Sequence, residues 1–335
     1  MNMILSDWVV YPNGERTILF RLENEDGTYI ELCNWGARWI SAFFPDKYGK
    51  LENLLVGYEN INDYVADPCY MGATIGRVAN RISNARIELN SKIYQLDEND
   101  GRNSNHGGFN GFNTQLWEYE VLSDGIRFFR TSLDNEGGFP GNVTVSVKYQ
   151  LLNHTVAISY YATTDLDTYI NLTNHAYFNL SGKNCSIGSQ CLRINADKIL
   201  DSDREFIPTG NIIDVTGTIF DFRHTQTIGR YFESNDIQLK WNRGYNNYFI
   251  LNKHDNEIPA AYLRDQTSKR TLTIYTDALG LFLYTSGFLR KPHTAVCLET
   301  QNYPDSSSHR KFPSCLLRSG EVYVSKTCYS FDVEM

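Results

Sequence analysis

The sequence predicts an all-β fold, a large antiparallel β-sandwich, on three observations. Hydrophobic residues alternate with a period of two nearly everywhere, aromatic residues reach 13% of the chain with 22 Tyr and 18 Phe, and no stretch of about 12 residues carries a helical apolar pattern. The alternation begins at 29–32, where Ile30 and Leu32 flank Glu31, and returns at 87–96. A short helix is expected around 60–64. In 141–162, Val143, Val145, Val147, Tyr149 and Leu151 alternate with polar residues, and Val156, Ile158, Tyr160 and Ala162 repeat the pattern after Asn153-His154. That is a hairpin or meander. Further strands are expected at 272–276, 281–285 and 322–326, separated by Gly, Asn, Asp and Pro clusters. No internal repeat, low-complexity tract or Pro/Ser linker divides the chain, so residues 1–335 are expected to form a single domain, a size that β-sandwiches reach.

The formal net charge of −8 excludes nucleic-acid and anionic-membrane partners, which need a basic patch to displace counterions. No segment approaches the 18 or so uninterrupted apolar residues of a membrane span, and residues 1–10 have no basic region before an apolar stretch. A soluble, unexported, cytoplasmic protein is expected. The seven cysteines are odd in number and form no Cys-x-x-Cys pair. Free thiols are expected rather than a disulfide framework or a zinc ribbon.

The segment 171–180, Asn-Leu-Thr-Asn-His-Ala-Tyr-Phe-Asn-Leu, carries the densest polar chemistry. On a strand, Asn171, Thr173, His175, Tyr177 and Asn179 share one face while Ile170, Leu172, Ala176, Phe178 and Leu180 serve the core, with Asn174 the exception. Such a face suits a polyhydroxylated ligand, and it equally describes a solvated strand. Three other segments match its polar density. In 76–82, Arg77 and Arg81 lie four apart with Asn80 beside the second, and either arginine could instead pin a loop. His106 stands before Gly107-Gly108, which permit a tight turn and a close approach. In 298–305, Glu299 and Gln301 share a strand face opposite Val296 and Leu298, and a surface or salt-bridged role for Glu299 is the plain alternative. His106, His175 and Glu299 have metal-ligand chemistry, yet they are about 70 and 124 residues apart. The close His pairing that marks metal sites is missing, so no metal is expected.

In sequence order, 76–82, 105–108, 173–182, 221–223, 244–251, 284–286, 298–305 and the closing 312–314 with Gly320, Glu321 and Tyr323 resemble the aldose 1-epimerase family, the galactose mutarotases. The resemblance implies a β-sandwich of the galactose mutarotase type that binds a free sugar and interconverts its α and β anomers without a cofactor or metal. It implies Glu299 as the general base on the anomeric hydroxyl and His175 as the general acid at the ring oxygen. Asn80, Arg81, His106 and Gln301 would surround the sugar. A neighbouring carboxylate would hold His175 protonated, and that charge would keep Glu299 ionised. The sole partner implied is the sugar, with the chain a monomer or homodimer.

Two positions depart from the family pattern. Asn246, in Tyr245-Asn246-Asn247-Tyr248-Phe249, stands where a sugar-binding carboxylate is usual, and Phe282 replaces a glutamine. The expectation is that epimerisation survives while preference moves from galactose to another hexose, a pentose, or a disaccharide stacked on Phe282. A non-catalytic carbohydrate-binding or sugar-sensing protein on the same fold is the alternative. A metal-dependent cupin-like enzyme using His106, His175 and Glu299 is the third.

Overall fold

The computed structural model describes residues 2–10, 15–252 and 257–334. Two large antiparallel sheets dominate it. One has nine strands, running Glu118–Leu122, Gly125–Ser132, Val143–Leu152, Thr155–Thr164, Val322–Val333, Arg270–Thr276, Ala261–Arg264, Cys191–Ile194 and Gln226–Thr227 across the sheet. The other has six, in the order Tyr177–Phe178, Val296–Gln301, Gly280–Tyr284, Asn246–Ile250, Lys198–Ser202 and Pro208–Asp214. A five-stranded sheet from Asn2–Val10 to Leu51–Asn53 completes the main architecture.

Alternation sets which face each strand buries. Val143, Val145, Val147, Tyr149 and Leu151 are buried, and the predicted hairpin closes through Asn153 in the left-handed region at φ 52°. One hydrophobic cluster reaches from Ile18 to Phe331 and draws on all three sheets. Trp39 of the five-stranded sheet packs edge-on against Phe178, Tyr329 and Phe331, at centroid distances of 5.8, 5.4 and 6.3 Å. Contacts of this kind bury large apolar area and fix the angle between layers.

The short helix is found at Ile61–Val65. The expected strand 87–96 is a hairpin, Arg86–Leu89 with Lys92–Gln95, because Asn90 and Ser91 both have positive φ, 51° and 60°. Two successive positive values are what a tight two-residue hairpin turn requires. A second helix, Ile237–Asn242, was not anticipated. Asp236 caps it by accepting from the amides of Gln238 and Leu239, and six residues are too few to reveal a period. All seven cysteines are free. Among the described residues, no helix is long and apolar enough to cross a membrane.

The segment 171–180 is not one continuous strand. Thr173–Asn174 pairs with Thr74–Ile75, and Tyr177–Phe178 pairs with Val296 and Cys297 of the six-stranded sheet. His175 lies where the chain changes partners. Its amide donates to the Ala73 carbonyl (2.9 Å) and its carbonyl accepts from Gly72 (2.9 Å).

Candidate active site

The strand Val296–Gln301 is buried on both faces. Val296 and Leu298 join the main core, while on the opposite face Cys297 packs in a second buried cluster and Glu299 lines a cavity of about 300 Å³. Asn80, Arg81, His106, His175, Asn246, Phe282 and Glu299 all line that cavity. Residues drawn from six separate parts of the sequence therefore converge as expected. Gln301 does not reach it. Its side chain is buried with both amide atoms lacking hydrogen-bond partners, and the Tyr248 hydroxyl donates to its backbone carbonyl (3.2 Å).

The polar row of 171–180 divides in the same way. His175 and Tyr177 line the cavity, whereas Asn171 bonds the backbone of Asn302 and Asn179 bonds the carbonyls of Cys185 and Thr294. The whole row is buried, so it is not a solvated strand face. Arg77 proves to be a loop-pinning arginine, donating to Ser132, Leu133 and Pro140. Arg81 instead lies at the cavity and pairs with Asp100 (2.6 Å).

Glu299 and His175 approach to 3.7 Å, Oε1 to Nε2. Glu299 is 2% exposed, and its second oxygen, Oε2, has no partner. Burial pushes the Glu299 carboxyl up to about 8, opposed by the positive charge of Arg81. Burial also pulls His175 down to about 4. Burial thus works against the charged pair expected from sequence. Loss of hydration opposes charge on both groups, which favours an uncharged imidazole beside a protonated carboxyl.

His175 is held between two phenols. Tyr177 stacks at 5.0 Å and Tyr70 at 5.9 Å, both within 27° of parallel. The Cys297 sulfur lies 3.6 Å from Nδ1, and burial raises that thiol well above its ordinary value, so it stays protonated. Tyr70 itself rides on a loop anchored by the buried pair Arg38–Asp67 (2.9 Å), with Arg38 donating also to the carbonyls of Tyr64, Met71 and Asn113. Sequence reasoning named neither Arg38 nor Tyr70. Tyr177 was visible as a member of the alternating row, and Tyr284, which also lines the cavity, as part of a matched segment.

His106 sits at φ 53° and Asn80 at φ 68°, each unusual for a residue with a side chain. The Gly107-Gly108 pair does serve a close approach, but of protein rather than ligand. A Cβ on Gly107 would lie 2.0 Å from the Gly76 carbonyl oxygen, and one on Gly108 would lie 2.6 Å from the Asp97 carboxylate. His106 Nδ1 accepts the Asn80 amide (3.2 Å), which in the neutral ring leaves the proton on Nε2. Burial, His175 and Arg81 hold its value well below the ordinary one. The ligand atoms of His106, His175 and Glu299 lie within 4.8 Å of one another. With Nε2 protonated, however, His106 is a hydrogen-bond donor and not a metal ligand, so the set fits an oxygen-rich molecule better than a cation.

Asn246 spends its amide nitrogen on Asn242 Oδ1 (3.0 Å), leaving its oxygen as the acceptor for a ligand. Phe282 is only 6% exposed and clusters with Leu200, Tyr248 and Phe312. It forms part of a packed wall, not a free platform for a second sugar ring.

Comparison with known proteins agrees with this geometry. The aldose 1-epimerase family model matches residues 19–330. Galactose mutarotase of Mus musculus is 37% identical, covering 96% of each chain, and aldose 1-epimerase of Escherichia coli K12 is 35% identical over 96% of this chain and 97% of its own. Among solved structures, galactose 1-epimerase of Lactobacillus acidophilus NCFM superposes with a TM-score of 0.89 at 27% identity, covering 100% of this chain and 99% of that one. A matching family model over nearly the whole length, close relatives of equal length and a shared fold lead to one conclusion: the chain belongs to the aldose 1-epimerase family.

Proposed function

We propose that this protein is an aldose 1-epimerase that interconverts the α and β anomers of a free sugar through acid/base ring opening, with Glu299 and His175 as the catalytic pair. The observation that supports it is Glu299: a buried carboxyl with an unpartnered oxygen, 3.7 Å from a buried imidazole, in a cavity lined by polar side chains.

Near neutrality the pair holds one proton between its two members. An anomeric hydroxyl donating to Glu299 Oε2 favours the carboxylate, and the carboxylate's charge in turn favours the imidazolium. Glu299 then takes the proton from the anomeric oxygen as His175 gives its proton to the ring oxygen, and the bond from the anomeric carbon to the ring oxygen breaks. This transfer returns both groups to the neutral forms that burial prefers, so ring opening relieves two desolvated charges at once. The aldehyde rotates about its bond to the next carbon. Reclosure on the other face reverses the proton roles.

His106, with its proton on Nε2, supplies a donor to a sugar oxygen, and Arg81 and Asn80 supply further polar contacts. Asn246 offers an uncharged acceptor and Phe282 an apolar wall, which supports a preference shifted away from galactose. We read residues 1–335 as one domain acting in the cytoplasm.

Polarimetry on freshly dissolved α-anomers of a panel of aldoses tests this. Wild type should speed mutarotation of several sugars, and Glu299→Gln should lower kcat by roughly 10² to 10⁴. No rate above buffer for any sugar would leave a carbohydrate-binding function only. Galactose turnover as efficient as that of the mouse enzyme would refute the shifted preference.

A further inference from the structure

One buried thiol touches the imidazole of the reacting pair. Cys297 stands two residues before Glu299 on the strand Val296–Gln301, fully buried, and its sulfur lies 3.6 Å from His175 Nδ1. The neighbouring strands hold it there. Tyr177 is its ladder partner on one flank and Tyr284 on the other, and both rings pack against the His175 imidazole, at centroid distances of 5.0 and 6.4 Å. The Tyr177 hydroxyl donates to the Cys69 carbonyl (2.9 Å), so it does not compete for Nδ1.

A neutral imidazole carries one proton, and the two ring nitrogens of His175 face different partners. Nε2 faces Glu299 Oε1 at 3.7 Å, and Nδ1 faces sulfur. Burial favours a protonated Glu299 carboxyl. Glu299 Oε2 is buried without a partner, so a proton on that oxygen would have no acceptor, whereas a proton on Oε1 meets Nε2. Buried donors are left unpaired more rarely than buried carbonyl oxygens. Nε2 then turns its lone pair to the acid, which puts the ring proton on Nδ1. The His175 carbonyl supports the same placement, since it acts against burial by drawing a ring proton, and Nδ1 is the ring nitrogen nearer the backbone.

We infer that Cys297 is a positioning residue for the acid, its sulfur accepting the Nδ1 hydrogen of His175 so that Nε2 is left to take the proton from Glu299 and deliver it to the ring oxygen. The inference rests on the reading of Glu299 and His175 as the reacting pair. Sulfur is a weak acceptor, so it holds the tautomer while adding little basicity. A carboxylate in the same place would stabilise the imidazolium and blunt its acidity. Burial keeps the Cys297 thiol protonated and hence neutral. Glu299 and Cys297 also share one face of one strand, so base and backing sulfur keep their spacing around the imidazole.

Long-range proton–nitrogen NMR of the protein labelled at its histidine nitrogens reads the tautomer without any turnover, with His175→Asn assigning the His175 signals. At pH 7 wild type should show a protonated Nδ1 and a bare Nε2. Cys297→Ala and Cys297→Val, the second close to cysteine in volume, should move His175 toward the other tautomer and lower kcat by about three- to tenfold with KM little changed. Cys297→Ser, which keeps an acceptor at that position, should restore the tautomer and most of kcat. A bare Nδ1 in wild type, or tautomer and kcat unchanged in both Cys297→Ala and Cys297→Val, would overturn the assignment of Cys297. The tautomer shift in a protein that epimerises no sugar would sustain the contact and sink the catalytic reading instead.

Discussion

Replacing Glu299 with Gln should stabilise the protein while disabling it, and the gain should grow with pH. The Glu299 carboxyl ordinarily titrates at 4.5, and burial raises it to about 8 in the folded chain. Between those values the folded state keeps a proton that the unfolded state has released. A group raised in this way contributes stability that is fully present below its unfolded value and is lost as pH rises through the folded one. The loss is about 1.4 kcal/mol per pH unit, and by pH 7 it accumulates to about 3 kcal/mol. Glutamine keeps the volume and polarity of the protonated acid but has no proton to release, so Glu299→Gln escapes the loss. Urea unfolding of both proteins at pH 5.5, 7 and 8 measures the difference. The variant's advantage should widen at each step and level off above about pH 8. An advantage that stays constant from pH 5.5 to 8 would mean that Glu299 is ionised in the folded chain, and the neutral resting pair would have to be abandoned.

Two further outcomes are expected. The kcat/KM profile should be bell-shaped, with limbs near pH 4 and pH 8 that belong to the His175–Glu299 pair as a unit, because the state holding one proton between them is the competent one; a rate that rises steadily from pH 6 to 10 would contradict this. Asp67→Asn should destabilise the fold by about 3 to 5 kcal/mol, since it strands the buried Arg38 guanidinium, and thermal or urea unfolding would register the loss.

Period-two patterning made the hairpin through Asn153 and His154 legible in sequence, because there one face is core and the other is open. The same rule misled at 171–180. Alternation continues through His175, yet the ladder changes partner there, since side-chain period reports burial and says nothing of which strand lies alongside. At the site, Glu299, His175, His106, Asn80 and Arg81 were legible as polar residues that solubility does not explain. Arg38 and Asp67 were not, because a buried ion pair separated by 29 residues leaves no local pattern. Gln301 shows the converse. Correct facing brought it to the right side of the sheet, but Tyr248 packs against Gly280, the residue opposite Gln301, and the cavity ends short of it. Protonation states were the least legible feature, because the expectation weighed neighbouring charges and burial proved the larger effect.

The strand Val296–Gln301 turns Glu299, the proposed base, to the cavity and Val296 and Leu298 to the core. That arrangement constrains how such a protein can change over generations. On the proposed chemistry, a substitution at Val296 or Leu298 that shifts the strand would also shift the Glu299 carboxyl, so drift in the interior would be screened by turnover as well as by folding. Phe282 sits on the adjacent strand and Asn246 on the one beyond, where an exchange alters the cavity wall away from the Glu299 and His175 side chains. If Glu299 and His175 react as proposed, new sugar preferences can arise by single steps around a fixed pair, and the strand beneath that pair is the least free to vary.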